Sequence, residues 1–182
     1  LYKIKALKAT GKKDKALTLC RDTLKQSPDT PALLWELTEM EIEEYGIEQV
    51  IQQLGRLSKI NTMPPIYKKI YASLCRRIGQ HEAAIKTYEK IETAAGDMEI
   101  QRQKAFTLAK SGDEAEALPM LEELMILNPR DVHVHNCYGA ACARIGEAER
   151  GITFYSSLLS RFPDKKNIHG YIKRLKKKVG KE

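Results

Sequence analysis

The chain has 182 residues with a formal net charge of +7, 42% hydrophobic and 30% charged residues, a balance too apolar for a disordered chain. At this length folding buries roughly 70% of the surface an extended chain would expose, so no disulfide or metal staple is required. No apolar run approaches the ~20 residues of a bilayer-spanning helix, and no signal-peptide pattern stands at the start of these residues; the expected location is the cytoplasm.

The chain begins at Leu1 without an initiator methionine and reads as a fragment of a longer protein. Residues 1–10 predict a helix with Ile4, Leu7 and Ala6 facing inward, and 14–26 a second with Ala16, Leu17, Cys20 and Leu24 on its apolar face. Ser27-Pro28 closes it. The next pair, over 32–64, is the least regular: Trp35 and Ile42 fit an apolar face, but Glu39, on the same face, is bulky and charged and should alter the local crossing angle. Pro64-Pro65 opens the third pair, as proline can at a helix start, and Ala95-Gly96-Asp97 breaks it. In the fourth, Asp113 is the expected N-cap of the second helix, and Pro119 inside that helix predicts a bend near Ala115.

The fifth pair is the clearest. Val134, Tyr138, Ala141, Cys142 and Ile145 recur at the 3.6-residue period, followed by Ile152, Tyr155, Leu158 and Leu159 until Phe162-Pro163. Gly139 and Gly151 would let the two backbones approach where the helices cross. Residues 166–179 predict a last helix with Ile168, Ile172, Leu175 and Val179 on one stripe and lysines on the other, the polar-backed cap that a stack of repeats needs.

The turn glycines Gly11, Gly46, Gly79, Gly112 and Gly146 are spaced by 35, 33, 33 and 34 residues. With the small, aromatic and proline residues between them, this pattern resembles the tetratricopeptide repeat (TPR), a helix-turn-helix of 34 residues. His135 stands where that family prefers tryptophan. The resemblance implies an all-α fold, a right-handed α-solenoid of antiparallel helix pairs. It implies one domain over 1–182, with repeats at about 1–30, 32–64, 65–97, 98–131 and 132–165 and a capping helix at 166–179.

No nucleophile-base pair, phosphate-binding loop or metal motif is present, so the chain reads as a non-enzyme without a cofactor. Cys20, Cys75, Cys137 and Cys142 lack zinc spacing and read as packing thiols in a reducing compartment; His133 and Cys137 at i, i+4 offer two ligands, too few for a metal. Glu36, Glu39, Glu41, Glu43 and Glu44 read as a solvated acidic face.

The family binds partner segments on a concave wall formed by the first helix of each pair. Carried over, that wall consists of Leu33, Glu36, Met40, Glu43 and Glu44, then Ile66, Lys69, Ser73, Arg76 and Arg77. It continues with Glu99, Arg102, Phe106, Ala109 and Lys110, then His133, Asn136, Ala140, Ala143 and Arg144. An acidic start gives way to a basic trough. The implied binding residues are Lys69, Arg76, Arg77, Arg102, Phe106, Lys110, Asn136 and Arg144. The expected partner is a protein or peptide segment, acidic or phosphorylated, gripped by arginines around an aromatic anchor. The carboxylate clamp of chaperone-binding members is not matched: Lys69 fits, whereas Ser73, Gln103, His133 and Cys137 do not. The alternative is a nucleic acid or other anionic surface held by Lys173, Arg174, Lys177 and Lys178, beside Lys176 and Lys181.

Overall fold

A computed structural model describes residues 1–57, 64–91, 97–165 and 167–180. The expected break at Ala95-Gly96 and the residues Lys166 and Lys181 lie outside them. Eleven helices occupy the described residues, in two compact units, Leu1–Glu92 and Thr93–Glu182.

The first unit holds α1 (Tyr2–Ala9), α2 (Lys13–Gln26), α3 (Pro31–Tyr45), α4 (Ile47–Leu57), α5 (Pro65–Arg77) and α6 (His81–Glu89). Each packs on the next. Pro31 and Pro65 open their helices, where a missing N–H costs nothing. The core runs through Ile4, Ala16, Cys20, Leu34, Val50, Ile70, Leu74, Cys75 and Ala84. Ala6, expected inward, is exposed; on so short a first helix only the stripe through Ile4 has a neighbour to pack on.

The second unit holds α7 (Met98–Ser111), α8 (Glu114–Leu127), α9 (Val132–Arg144), α10 (Ala148–Arg161) and α11 (Asn167–Val179). Again each packs on the next, and α9 also touches α7 and α11. Two caps that the sequence reading passed over set its register: the Asp97 carboxylate accepts the Glu99 and Ile100 N–H groups, and Asp131 accepts those of His133 and Val134. Asp113 precedes α8 as expected, but its carboxylate takes the Ser111 hydroxyl at 2.7 Å and caps no backbone N–H. Helix α8 runs unbroken through Pro119, which lies on the exposed side.

All five turn glycines adopt positive φ, between 73° and 102°. Side chains rarely tolerate that backbone, so the glycine spacing fixes where each helix pair folds back. The two helical glycines of the fifth pair differ. A Cβ on Gly151 would meet Leu175 Cδ1 at 2.6 Å and Cys142 Sγ at 3.2 Å, whereas one on Gly139 would meet nothing within 4 Å. Gly151 thus permits close packing of α10 with α11 and α9. Gly139, expected at the helix crossing, faces open space instead.

The core of this unit is aromatic. Tyr138 and Tyr155 are fully buried and meet edge to face at 5.5 Å; Tyr155 stacks on Tyr171 at 5.4 Å, contacts worth ~0.5–1.5 kcal/mol each beyond area burial. The Tyr138 hydroxyl donates to Glu122 at 2.8 Å and the Tyr155 hydroxyl to the His135 carbonyl at 3.1 Å. Ile145 and Val179, both placed on apolar stripes, are 38% and 37% exposed because they close their helices beyond the neighbours' reach. The thiols of Cys20, Cys75 and Cys142 are buried, and burial pushes the Cys142 pKa up to about 11, so these side chains pack and do not react.

Candidate functional site

Charged side chains on the helix faces fall into two groups: those satisfied within the protein and those left to solvent. In the first unit, α3 is the acidic member of an ion-pair lattice. Lys8 reaches Glu36 at 2.8 Å and Glu43 at 3.8 Å, Lys13 reaches Glu43 at 3.0 Å, Arg21 reaches Glu41 at 3.1 Å, and Arg77 reaches Glu39 at 2.6 Å. Glu39, the bulky residue in a small residue's place, is therefore the partner of α5. The hydrogen bond from Lys13, then its charge and that of Lys8, hold the Glu43 carboxyl below the usual carboxylate range. The acidic cluster is not a bare solvated face but one side of a lattice joining α1, α2, α3 and α5. Leu33 and Met40, expected on the binding wall, are buried at 5% and 6% exposure.

Of the other sequence-derived residues in this unit, Lys69 is half-buried, and Arg76 keeps a buried Nε that finds no hydrogen-bond partner. A cavity of about 420 Å³ lies among Leu24, Leu34, Val50 and Leu54; of its edge charges, Arg21 and Glu41 are spent on each other and Lys25 on Asp22.

In the second unit, Arg102 is held by Glu99 at 3.0 Å and Asp131 at 3.2 Å, with its guanidinium 5.5 Å from the Phe106 ring. Ala109, expected on the wall, is buried, and Lys110 is exposed. Arg144 donates through Nε to Glu114 and through Nη2 to the Ala109 carbonyl, which anchors α9 to α7 and α8 and leaves Nη1 over. Its hydrogen bond holds the Glu114 carboxyl low.

Between α9 and α11 lies a trough of about 400 Å³. Its α9 wall presents Asn136, Gly139, Ala140, Ala143 and Arg144; its α11 wall presents Tyr171, Arg174, Leu175 and Lys178, with His135 at the junction. Residues at i, i+3, i+4 and i+7 on α11 and in i, i+4 rows on α9 share one face each, so the two rows oppose along the trough. The floor is small and apolar, the rim carries three cations, and no carboxylate lines it. His135, in tryptophan's place, organises the wall: it is 3% exposed, stacks on Tyr171 at 4.9 Å and Tyr155 at 5.7 Å, and hydrogen-bonds through Nε2 to the Pro129 carbonyl at 3.1 Å. A carbonyl can only accept, so the neutral ring carries its proton on Nε2. Burial lowers the His135 pKa. Arg174 sits 5.2 Å from the Tyr171 ring, which makes His135, Tyr171 and Arg174 one stack ending in a cation.

The structure thus brings together Asn136 and Arg144 from the expected wall with Arg174 and Lys178 from the basic last helix. Lys173 and Lys177 are exposed and do not line the trough. Tyr171, Leu175, Gly139 and His135 line the trough without having been expected there. The spacing of Tyr171, Arg174, Leu175 and Lys178 carried the signal for the first two, but only packing tells which way Gly139 faces. Among the described residues no three His, Cys, Asp or Glu groups assemble to hold a metal, and no helix is long and apolar enough to cross a membrane.

Helix pairs folded on positive-φ glycines, with small residues at the contacts and a capping helix docked on the last pair, define an all-α solenoid of the tetratricopeptide-repeat type. Solved structures bear this out at the level of fold. A tetratricopeptide repeat protein from Parabacteroides merdae ATCC 43184 superposes with a TM-score of 0.63 at 15% identity, over 99% of this chain and 72% of its own. The MamA protein does so with 0.63 at 16%, over 89% of each chain. YrrB, described as a TPR protein with an unusual peptide-binding site, gives 0.62 at 14%, over 96% of this chain and 88% of its own. No family model matches the sequence, and no curated protein does.

Proposed function

We propose that the protein is a non-enzymatic interaction module that holds an acidic or phosphorylated segment of a partner protein against the face formed by α9 and α11. The observation that carries this reading is the trough itself, where Arg174, Lys178 and the remaining Arg144 donors converge without a carboxylate among its lining residues. Converging donors without an internal acceptor suit an anionic partner group, and arginine suits carboxylate or phosphate. The peptide-binding site in the description of YrrB, a protein of similar fold, supports a peptide as the occupant. The lining sets no nucleophile against a base: His135 bonds Pro129 through Nε2, and its Nδ1 is buried without a hydrogen-bond partner. A cytoplasmic location belongs to the same proposal, since buried free thiols suit a reducing compartment.

Arg77 and Arg102 are spent on internal ion pairs, so reversing them would test the fold before it tested binding. The informative variant is Arg174→Glu/Lys178→Glu, compared with wild type for retention of proteins from a native extract treated with nuclease. A protein kept by wild type and lost by the folded variant is the expected result. Equal retention by both would overturn the proposal, and retention that disappears with nuclease would move the function to nucleic acid, with Lys173 and Lys177 as the contacts.

A further inference from the structure

The trough specifies more than negative charge. Asn136 to Arg144 spans about 12 Å at the rise of a helix, the length of about four residues of extended chain. Along that line the floor is Gly139, Ala140 and Ala143, and the Cβ position of Gly139 has nothing within 4 Å. The missing side chain leaves the α9 wall open at that point, with Tyr171 and the edge of Leu175 on the facing wall. At one end Asn136, exposed on α9, offers a carboxamide that both donates and accepts, the pair of functions a main-chain peptide group answers. A helical segment has its peptide groups already paired, whereas an extended one presents them. On the facing wall Arg174 is held by the stack of His135 and Tyr171 before anything binds, so little ordering cost falls on association.

Resting on the module reading above, we propose that the trough takes a short extended peptide in which an aliphatic side chain seats over Gly139. The carboxylates on either side of it meet Arg174 and Lys178, and its main chain pairs with Asn136. The partner motif is therefore an acidic segment interrupted by an aliphatic residue, not an acidic run alone. Because the seat is the absence of a side chain, filling it should weaken recognition without touching any charge.

The test uses fluorescence anisotropy of the whole chain with three labelled octapeptides, alternating Glu-Leu, Glu-Ser and Gln-Leu, and with a labelled uridine decamer. Wild type should bind Glu-Leu in preference to the other probes. Gly139→Leu should weaken that binding by about tenfold or more, the loss expected of a central anchor. The variant should fold, because leucine favours a helix over glycine and the site is open; circular dichroism checks this. Arg174→Glu/Lys178→Glu should weaken Glu-Leu binding to a similar degree. Unchanged affinity in Gly139→Leu overturns the proposal, as does Glu-Ser or uridine binding that equals Glu-Leu, which would make the rim an unselective polyanion surface. Failure of wild type to bind Glu-Leu even at about 1 mM overturns it too, that being the floor of useful affinity. If extract capture depends on Arg174 and Lys178 yet ignores Gly139→Leu, the module reading stands and the aliphatic seat falls.

Discussion

The α3 face of the first unit and the α9/α11 face of the second use surface charge in opposite ways. On α3 each of four glutamates meets a lysine or arginine from α1, α2 or α5, and Arg77 and Glu39 keep 45% and 43% side-chain exposure. Such pairs contribute ~0–1 kcal/mol each and leave the surface nearly neutral to a visitor. On α9 and α11 only Arg144 is tied inward, while Arg174 rests on an aromatic ring and Lys178 lines the trough beside it. A count of lysines and arginines cannot separate the two. What separates them is whether the neighbouring helix supplies a carboxylate at the right height.

The contrast depends on α11 being seated tightly, and Gly151 is where that can be broken. Gly151→Leu drives a side chain into Leu175 and Cys142 and should cost roughly 3 kcal/mol, the upper end for overpacking. Urea unfolding would show the loss, and hydrogen exchange should locate it in α10 and α11 with α3 unaffected. Exchange rising equally in α3 would mean that the faces do not belong to separately stable regions.

Acid should distinguish the faces next. Burial depresses the pKa of folded His135, so below the ~6.5 of a free imidazole the unfolded chain takes up the proton first. Stability in the second unit is therefore full above about pH 6.5 and is lost as pH falls toward the depressed value, with a slope of at most about 1.4 kcal/mol per pH unit for one proton. The α3 lattice responds later. Its Glu43 is held low by Lys13, so that contribution is present above the ordinary carboxylate value of ~4.3 and fades only as pH falls through the lower folded value. Glu114, held low by Arg144, adds a similar late loss to the second unit. The check is the pH dependence of unfolding between pH 7.5 and 5.5 in wild type and His135→Phe, which keeps a ring in the stack. The slope should vanish in the variant; an unchanged slope would assign it to other groups.

Much of the fold was legible because it rests on local rules. The turn glycines at repeat spacing all take positive φ, and alanines at the small positions, among them Ala16, Ala84 and Ala117, are fully buried. The errors have physical causes. Ala6, Ile145 and Val179 obey the helical period but lie where no neighbour covers them. Asp113 had the chemistry of a cap, and Ser111 competed for its carboxylate. The proposed site was half legible. Asn136 and Arg144 were named on α9, and Arg174 and Lys178 on the last helix, but as members of rival surfaces. The internal pairing of Arg77, Arg102 and Arg144 was missed because partners lie 38, 29 and 30 residues away. Those separations are close to one repeat, so charges on equivalent helices of adjacent repeats should be compared before any is assigned to a partner.

Gly139 and Gly151 make a smaller and sharper test of the same contrast. Both sit in helices of one pair and invite the same interpretation from sequence, yet only Gly151 is crowded. Replacing Gly139 with leucine should raise stability by ~0.8 kcal/mol, the helical preference of leucine over glycine. Opposite signs for the same substitution at the two sites, read from urea midpoints, would place Gly139 on an open wall. A loss at both would return it to a packed crossing.

The smallest effect concerns what silences the α3 face. Glu39→Gln should change stability by less than ~0.5 kcal/mol, because the Arg77 pair is exposed, and about 1 M salt should erase even that. The more telling readout is binding. If internal pairing is what makes the α3 face inert, Glu36→Gln/Glu39→Gln/Glu43→Gln, which releases Lys8, Lys13 and Arg77, should give Arg174→Glu/Lys178→Glu protein a weak, salt-sensitive affinity for the Glu-Leu octapeptide and an equal one for Glu-Ser. Cations without an apolar seat can attract charge but have no means of choosing among acidic sequences. If the released cations preferred Glu-Leu over Glu-Ser, selectivity would not need the Gly139 floor; if they attracted neither peptide, charge pairing would not be what distinguishes the two faces.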